Sequence, residues 1–91
     1  MQAVEVQCGG MHTVVLLKDG SVWTYGNNDD FALGRDTPDE DDMKKPGKVE
    51  LKEFVIQVTA GDMHSAALTQ DGKVYLWGNF RVRLPYFQVF L

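Results

Sequence analysis

The side chains that we consider first as candidates for chemistry are Cys8, His12, Asp62 and His64. The cysteine and the two histidines lack the tight spacing of metal ligands, and a single cysteine forms no internal disulfide. The glycines occupy turns and close approaches, and none of them forms a phosphate-binding loop. We therefore expect no metal, no cofactor and no small-molecule substrate, and the lone cysteine indicates a reducing compartment.

The composition narrows the class of protein without assigning a function. The chain has 91 residues, a net charge of -4 and 44% hydrophobic residues, which suits one small soluble domain or a piece of a larger one. No apolar run approaches the ~20 residues that span a bilayer, and the start does not resemble a secretory signal. An acidic balance argues against direct binding to nucleic acid, because phosphates are bound by clustered Lys and Arg.

An internal repeat is the most informative feature of the sequence. When residues 3–28 are set against residues 55–80, ten of the 26 positions are identical. The two histidines are among these positions, so we interpret them as structural, each with a ring nitrogen bonded to backbone. Repeats near 50 residues are typical of arrays and propellers, in which each unit needs neighbours to bury its faces.

Each copy predicts three short strands. Val4, Val6 and Cys8 alternate with polar residues, as do Ile56, Val58 and Ala60. Such alternation predicts a strand with one buried face and one solvent-exposed face. Residues 13–17 and 65–69 are mostly apolar on consecutive positions, so we expect both of their faces to be buried. The third strand of each copy carries two aromatic residues that we assign to the core rather than to base stacking: Trp23, Tyr25, Tyr75 and Trp77.

Two connections are distinctive. Asp-Gly follows the second strand in both copies, at residues 19–20 and 71–72, and predicts a turn with two successive positive φ angles. The connector at residues 27–47 holds seven acidic and three basic residues. We predict a solvated surface loop there, with an acidic docking surface for a basic partner as the alternative.

The repeat motif resembles a known family. Gly-x-x-His-(Ser/Thr) followed by Leu-x-x-Asp-Gly-x-Val-aromatic-x-aromatic-Gly, together with the strings at residues 32–37 and 46–51, is similar to the regulator of chromosome condensation family. The resemblance covers residues 3–81. It implies an all-β fold, a partial β-propeller of about two blades from a seven-bladed ring. Residues 1–81 would be incomplete blades and residues 82–91 a divergent apolar tail. Phe31 stands where the family mostly has Gly, so we expect strain in that turn.

The same resemblance implies a function. The family includes the chromatin-bound guanine nucleotide exchange factor of the small GTPase Ran, a nuclear protein that also meets histones in nucleosomes. Asp62 matches an acid on the Ran-facing surface and is our candidate exchange residue, whereas the first copy has Gly10 at that position. The alternative is that Asp62 satisfies a local turn. Phe80 and Arg81 match the first residues of a wedge that contacts Ran; alternatively they form an ordinary edge loop.

Three functions remain open at this stage. The first is a fragment of a Ran exchange factor, which is not an enzyme in the bond-making sense. The second is a non-catalytic repeat module for protein–protein interaction, and the third is a truncated product without activity of its own. The tail at residues 82–91 has no Gly and no acid where the family has a polar hairpin, which favours an altered end. Unpaired strand edges in such a product would promote chain-to-chain pairing.

Overall fold

The structure is a computed structural model that describes residues 2–79. Phe80 and Arg81 lie outside the described residues, as does the tail at 82–91. Within residues 2–79 no helix is long and apolar enough to span a membrane. The elements, in chain order, are β1 (Ala3–Cys8), β2 (His12–Leu17), β3 (Val22–Gly26), α1 (Glu40–Lys44), β4 (Gly47–Lys48), β5 (Val55–Ala60), β6 (His64–Thr69) and β7 (Val74–Gly78).

The strands form two antiparallel sheets, one for each sequence repeat. The first sheet has the order β1-β2-β3-β4, and the described part of the second has the order β5-β6-β7. Their registers match position for position: Val6 pairs with Val15 in the first sheet, and Val58 pairs with Ala67 in the second. Both first strands also carry a β-bulge at the same place. The two sheets are therefore the two copies of one structural unit, as the internal repeat predicts.

The hairpin turns differ from the prediction. Only the glycines, Gly20 at φ 82° and Gly72 at φ 90°, adopt positive φ, while the preceding aspartates do not. The amide of Gly20 donates to the carbonyl of Leu17 at 2.9 Å, and the amide of Leu17 donates to Ser21 at 3.0 Å. This pattern is a three-residue loop, residues 18–20, with one left-handed residue. We expected a two-residue turn, but the last hydrogen bond between the strands joins Leu17 to Ser21.

A single apolar core fills the space between the sheets. Val14, Leu16 and Val22 of the first sheet pack with residues of the second, among them Trp77, which is fully buried. The core assignment is confirmed for Trp77, and the half-buried Tyr75 packs against the core. Trp23 and Tyr25 are half-buried and are not part of this core cluster. In β2 the residues that face the second sheet are buried and those on the opposite face, Thr13, Val15 and Leu17, are half-buried. Burial of both faces of this strand is therefore incomplete.

The side chains of β1 alternate between the two faces as predicted, but the solvent-exposed face is the apolar one. Val4 is 57% exposed and Val6 53%, whereas Glu5 and Gln7 are half-buried. The cause is the position of the second sheet, which packs on the side of β1 that carries Glu5. There a Glu5 carboxylate oxygen accepts the amide of Val58 at 3.0 Å and joins the edges of the two sheets.

The connector at residues 27–47 is more ordered than a solvated loop. Ala32 and Leu33 are buried, and the short helix α1, which we did not predict, begins after Asp39. The side chain of Asp39 accepts the amide of Asp42, which is the usual contact of an N-cap. Phe31 has φ 60°, in the left-handed region that a bulky side chain rarely adopts. The strain expected at Phe31 is therefore present.

The two hairpin glycines allow a matched test of local packing. We expect Gly72→Ala to lower the free energy of unfolding by roughly 1–2 kcal/mol, which is the cost of placing a non-glycine residue in the left-handed region. No steric cost is added, because a methyl group at position 72 would meet no other atom within 4 Å. Gly20→Ala should cost clearly more, because its methyl group would collide with the Phe54 ring. Urea denaturation of the two variants and the parent chain measures both costs. Equal losses would contradict the Phe54 contact.

Candidate functional site

One end of the two sheets collects the candidate partner-binding residues. This end, which we call the loop end, consists of the loop 9–11 between β1 and β2, the loop 61–63 between β5 and β6, and residues 27–30 after β3. Topology places them together, because an antiparallel β3 ends beside the start of β2. The amide of Asn27 donates to the carbonyl of Met11 at 2.8 Å and fixes this arrangement.

Asp62 is exposed at the loop end, beside Gly10 of the first repeat. The amide of Gly10 lies 3.4 Å from the carbonyl of Gly61 and 3.3 Å from the carbonyl of Asp62 and donates to both. A side chain at position 10 would collide with the Asp62 carboxylate, so the residue that breaks the repeat in one copy requires glycine in the other. The backbone that carries Asp62 is thereby held against the neighbouring repeat.

A second acid, Asp30, shares a shallow cavity of about 90 Å³ with Asp62. One carboxylate oxygen of Asp30 accepts the side-chain amide of Asn79 at 3.1 Å. The described residues around this cavity include neither Lys nor Arg: Met11, His12, Asn27, Asp30, Ala32, Asp62 and Met63. The cavity therefore presents negative charge beside two methionines, a surface suited to a basic partner.

The sequence analysis did not bring Asp30 and Asp62 together. It treated Asp30 as part of one acidic connector, yet the structure separates the connector into Asp29 and Asp30 at the loop end and the acids of α1 elsewhere. The hairpin topology could have predicted that the two acids lie at the same end of the sheets, because Asp30 lies four residues beyond the end of β3 and Asp62 two residues before β6.

His12 lies directly beneath the loop end, between the sheets. Its Nε2 is 2.9 Å from the hydroxyl of Ser65 and 3.1 Å from the carbonyl of His64. A carbonyl oxygen only accepts, so Nε2 carries the proton and donates. This geometry confirms the structural interpretation of His12, and burial lowers the pKa of its imidazole below the ordinary value.

The carbonyl of Ala32 completes this network. It accepts the hydroxyl of Ser65 at 2.8 Å and the indole N–H of Trp77 at 2.9 Å. Next to it, the carbonyl of Leu33 accepts the hydroxyl of Thr24 at 2.7 Å. Two consecutive peptide groups of the connector are thus bonded to the two sheets, one to each sheet.

Arg35 holds the far half of the connector. Its guanidinium donates to the carbonyls of Thr24 at 2.8 Å, Asp42 at 3.2 Å and Lys45 at 2.8 Å. Partial burial lowers the pKa of this guanidinium, although the group stays charged. Arg35 therefore positions the connector and is not available to an acidic partner.

In the described part of the chain no group of three or more His, Cys, Asp and Glu is placed to hold a metal ion. Cys8 is exposed on β1 as a free thiol. The loop end thus presents carboxylates and apolar side chains on a backbone that is hydrogen-bonded to the neighbouring repeat, and such a combination is suited to binding a protein.

Comparison with known proteins agrees with the geometry. Sequence profiles of the regulator of chromosome condensation (RCC1) repeat match residues 19–68 and residues 3–31. The chain is 60% identical over 78 residues to the human protein "Regulator of chromosome condensation", covering 86% of this chain and 18% of that protein. It is 37% identical over 102 aligned residues to guanine nucleotide exchange factor SRM1 of Saccharomyces cerevisiae, covering 80% of this chain and 21% of SRM1.

A solved structure supports the fold as well. The crystal structure of Prp20p from Saccharomyces cerevisiae, described with its binding to Gsp1p and histones, superposes with a TM-score of 0.79 at 36% identity. That match covers 93% of this chain and 21% of Prp20p. The two stacked antiparallel sheets are therefore blades of a β-propeller, and the chain spans about a fifth of the relatives it matches. The chain belongs to the regulator of chromosome condensation repeat family.

The position of His12 predicts a loss of stability in mild acid. Because burial lowers the pKa of His12, the unfolded chain takes up the proton first, at its ordinary pKa of about 6.5. The stability is complete above that pH and declines as the pH falls toward the lower pKa of the folded chain. We expect the urea midpoint to fall between pH 7.5 and pH 5.5, values that bracket about 6.5.

The control is His12→Gln, which retains an N–H donor but does not titrate. Its midpoint should be lower than that of the parent chain at pH 7.5 and should change less between the two pH values. The same pH dependence in both chains would show that the titration of another group causes it.

Proposed function

We propose that this chain is a segment of a guanine nucleotide exchange factor for the small GTPase Ran, and that its loop end faces the GTPase. The observation that carries the proposal is the exposed Asp62, placed at a position where the repeat does not require an acid and held by backbone contacts to Gly10. Support comes from the exchange-factor relative SRM1 and from the 60% identity to the human protein.

The proposed mechanism is competition for a binding site rather than bond-making catalysis. GTPases hold the phosphates of their nucleotide through backbone N–H groups, a lysine and Mg²⁺. A protein that prefers the nucleotide-free form weakens nucleotide binding by the same factor, because coupling between two ligands is reciprocal. In this proposal the Asp62 carboxylate stabilises the empty form by contacting basic groups that the phosphates have left, and Asp30 adds negative potential beside it.

Rigidity of the loop end supports this role. The base of the loop is fixed by the His12–Ser65 contact and by the Gly10 amide, so Asp62 is presented with little freedom left to lose on binding. Phe80 and Arg81 remain further candidate contacts of the same surface. The longer protein would supply other blades, and we infer from the likeness to Prp20p that it acts in the nucleus on chromatin.

Substitution of Asp62 tests the mechanism in the longer protein that contains this segment. In that protein, Asp62→Asn should slow the catalysed release of fluorescent GDP from Ran by about 10- to 100-fold, which corresponds to about 1.5–3 kcal/mol for one charge-assisted contact. Glu50→Gln is the matched control, since Glu50 is an exposed acid outside the loop end. Unchanged release with Asp62→Asn would contradict the role of Asp62.

The 91-residue chain allows a separate test of partner choice. Immobilised chain should retain Ran stripped of nucleotide by EDTA more than Ran bound to GDP, because the proposed contacts are available only in the empty form. Release of nucleotide is expected to need the other blades. Failure to retain Ran in either state would favour the non-catalytic repeat module over an exchange role for this segment.

A further inference from the structure

Thr37 differs from the other hydroxyl side chains of the sequence because a proline follows it. The chain has seven Ser and Thr residues, and Thr37-Pro38 is the only place where one of them precedes Pro. Proline has no N–H, and it biases the residue before it toward an extended backbone. An extended backbone is the form in which a protein kinase binds its substrate segment, so this dipeptide has the shape of a kinase acceptor.

The structure places Thr37 in an irregular part of the connector, between the end of β3 and the start of α1. Its neighbours Asp36, Pro38 and Asp39 are exposed. The backbone at Asp39 is extended, with φ -141° and ψ 175°. A kinase therefore reaches the segment on both sides of Thr37 without separating two strands.

The other hydroxyls of Ser and Thr are less accessible to a kinase. Five of these six residues lie within paired strands: Thr13, Thr24, Thr59, Ser65 and Thr69. The sixth, Ser21, donates its hydroxyl to the carboxylate of Asp19 at 2.6 Å. Sequence and structure thus single out the same residue, Thr37.

A contact with Asn28 holds the Thr37 side chain in a half-buried position. The Thr37 hydroxyl oxygen accepts an N–H of the Asn28 side-chain amide at 2.9 Å. The same amide nitrogen donates to the carbonyl of Arg35 at 2.9 Å, and the Asn28 side-chain oxygen accepts the amide of Leu33 at 3.1 Å. Because the Thr37 hydroxyl must leave Asn28 to enter a kinase, this contact slows modification without preventing it.

We propose that Thr37 is a phosphorylation site for a proline-directed serine/threonine kinase. The Thr37 oxygen attacks the γ-phosphorus of Mg-ATP, an O–P bond forms, the bond from the γ-phosphorus to the bridging oxygen breaks, and ADP leaves. The hydroxyl proton passes to the catalytic aspartate of the kinase. The inference is independent of the exchange role proposed above, because it does not involve Asp62.

The charges around Thr37 determine what the phosphate does to the connector. A phosphate carries about -1.5 to -2 charges at pH 7 and would lie between Asp36 and Asp39, in a connector with seven acidic and three basic residues. The guanidinium of Arg35 already donates to three backbone carbonyls. Repulsion between like charges therefore turns the phosphate toward solvent and separates Thr37 from Asn28.

The 91-residue chain provides the first test. Incubation with Mg-ATP and a purified mitogen-activated protein kinase should add one phosphate, and fragmentation mass spectrometry should place it on Thr37. Thr37→Val should accept no phosphate, whereas Thr37→Ser, which retains the hydroxyl, should accept one. Absence of phosphate from the parent chain, or phosphate on a different residue, would overturn the proposal.

Substitution of the two prolines of the connector tests whether the kinase recognises Pro38. Pro38→Ala should slow phosphorylation by about tenfold or more, because the kinase loses the feature that it reads. Pro46→Ala is the matched control, since Pro46 is also exposed in the connector but follows a lysine, and it should react at the parent rate. An undiminished rate in Pro38→Ala, or equal losses in both variants, would contradict recognition of Pro38.

The role of the Asn28 contact has its own test. Asn28→Ala removes the donor to the Thr37 hydroxyl, so this variant should be phosphorylated roughly fivefold faster, the factor for one hydrogen bond of ordinary net strength. Circular dichroism checks that the variant retains its sheets. A rate at or below that of the parent chain would contradict the masking of Thr37 by Asn28.

Discussion

The carbonyl oxygen of Ala32 is the point at which the connector, the second sheet and the loop end meet. It accepts hydrogen bonds from Ser65 and Trp77, and Ser65 in turn accepts the ring N–H of His12 from the first sheet. Every donor in this network is buried or nearly so, and a buried donor left without an acceptor costs about 1–3 kcal/mol. The path of the connector is therefore determined by the need to satisfy these groups as much as by the apolar core.

This constraint explains why the repeat has its particular residues. The histidine spans from one blade to the next, and the small residue after it in the following copy, Ser65, supplies the hydroxyl that receives it. Glycine before the histidine is required because a side chain at Gly9 would collide with the His12 ring and with the carbonyl of Gly61. The motif thus encodes contact between neighbours, which is why a propeller blade packs against other blades and is not a self-sufficient unit.

The same dependence links the fold to the proposed activity. Asp62 gains its position from the backbone contact with Gly10 of the other repeat, so two adjacent blades are the smallest unit that presents it.

The sequence alone determined six of the seven described strands, β4 being the exception, together with the two-copy organisation and the core role of His12 and Trp77. Period-2 alternation and the 52-residue offset are local or repeated signals. It did not determine which face of β1 is buried, because burial of Glu5 rather than Val6 depends on where the second sheet packs. The burial of Ala32 and Leu33 and the meeting of Asp30 with Asp62 were likewise decided by tertiary structure. Each depends on contacts between residues distant in the chain, and no local pattern of residue types records such contacts.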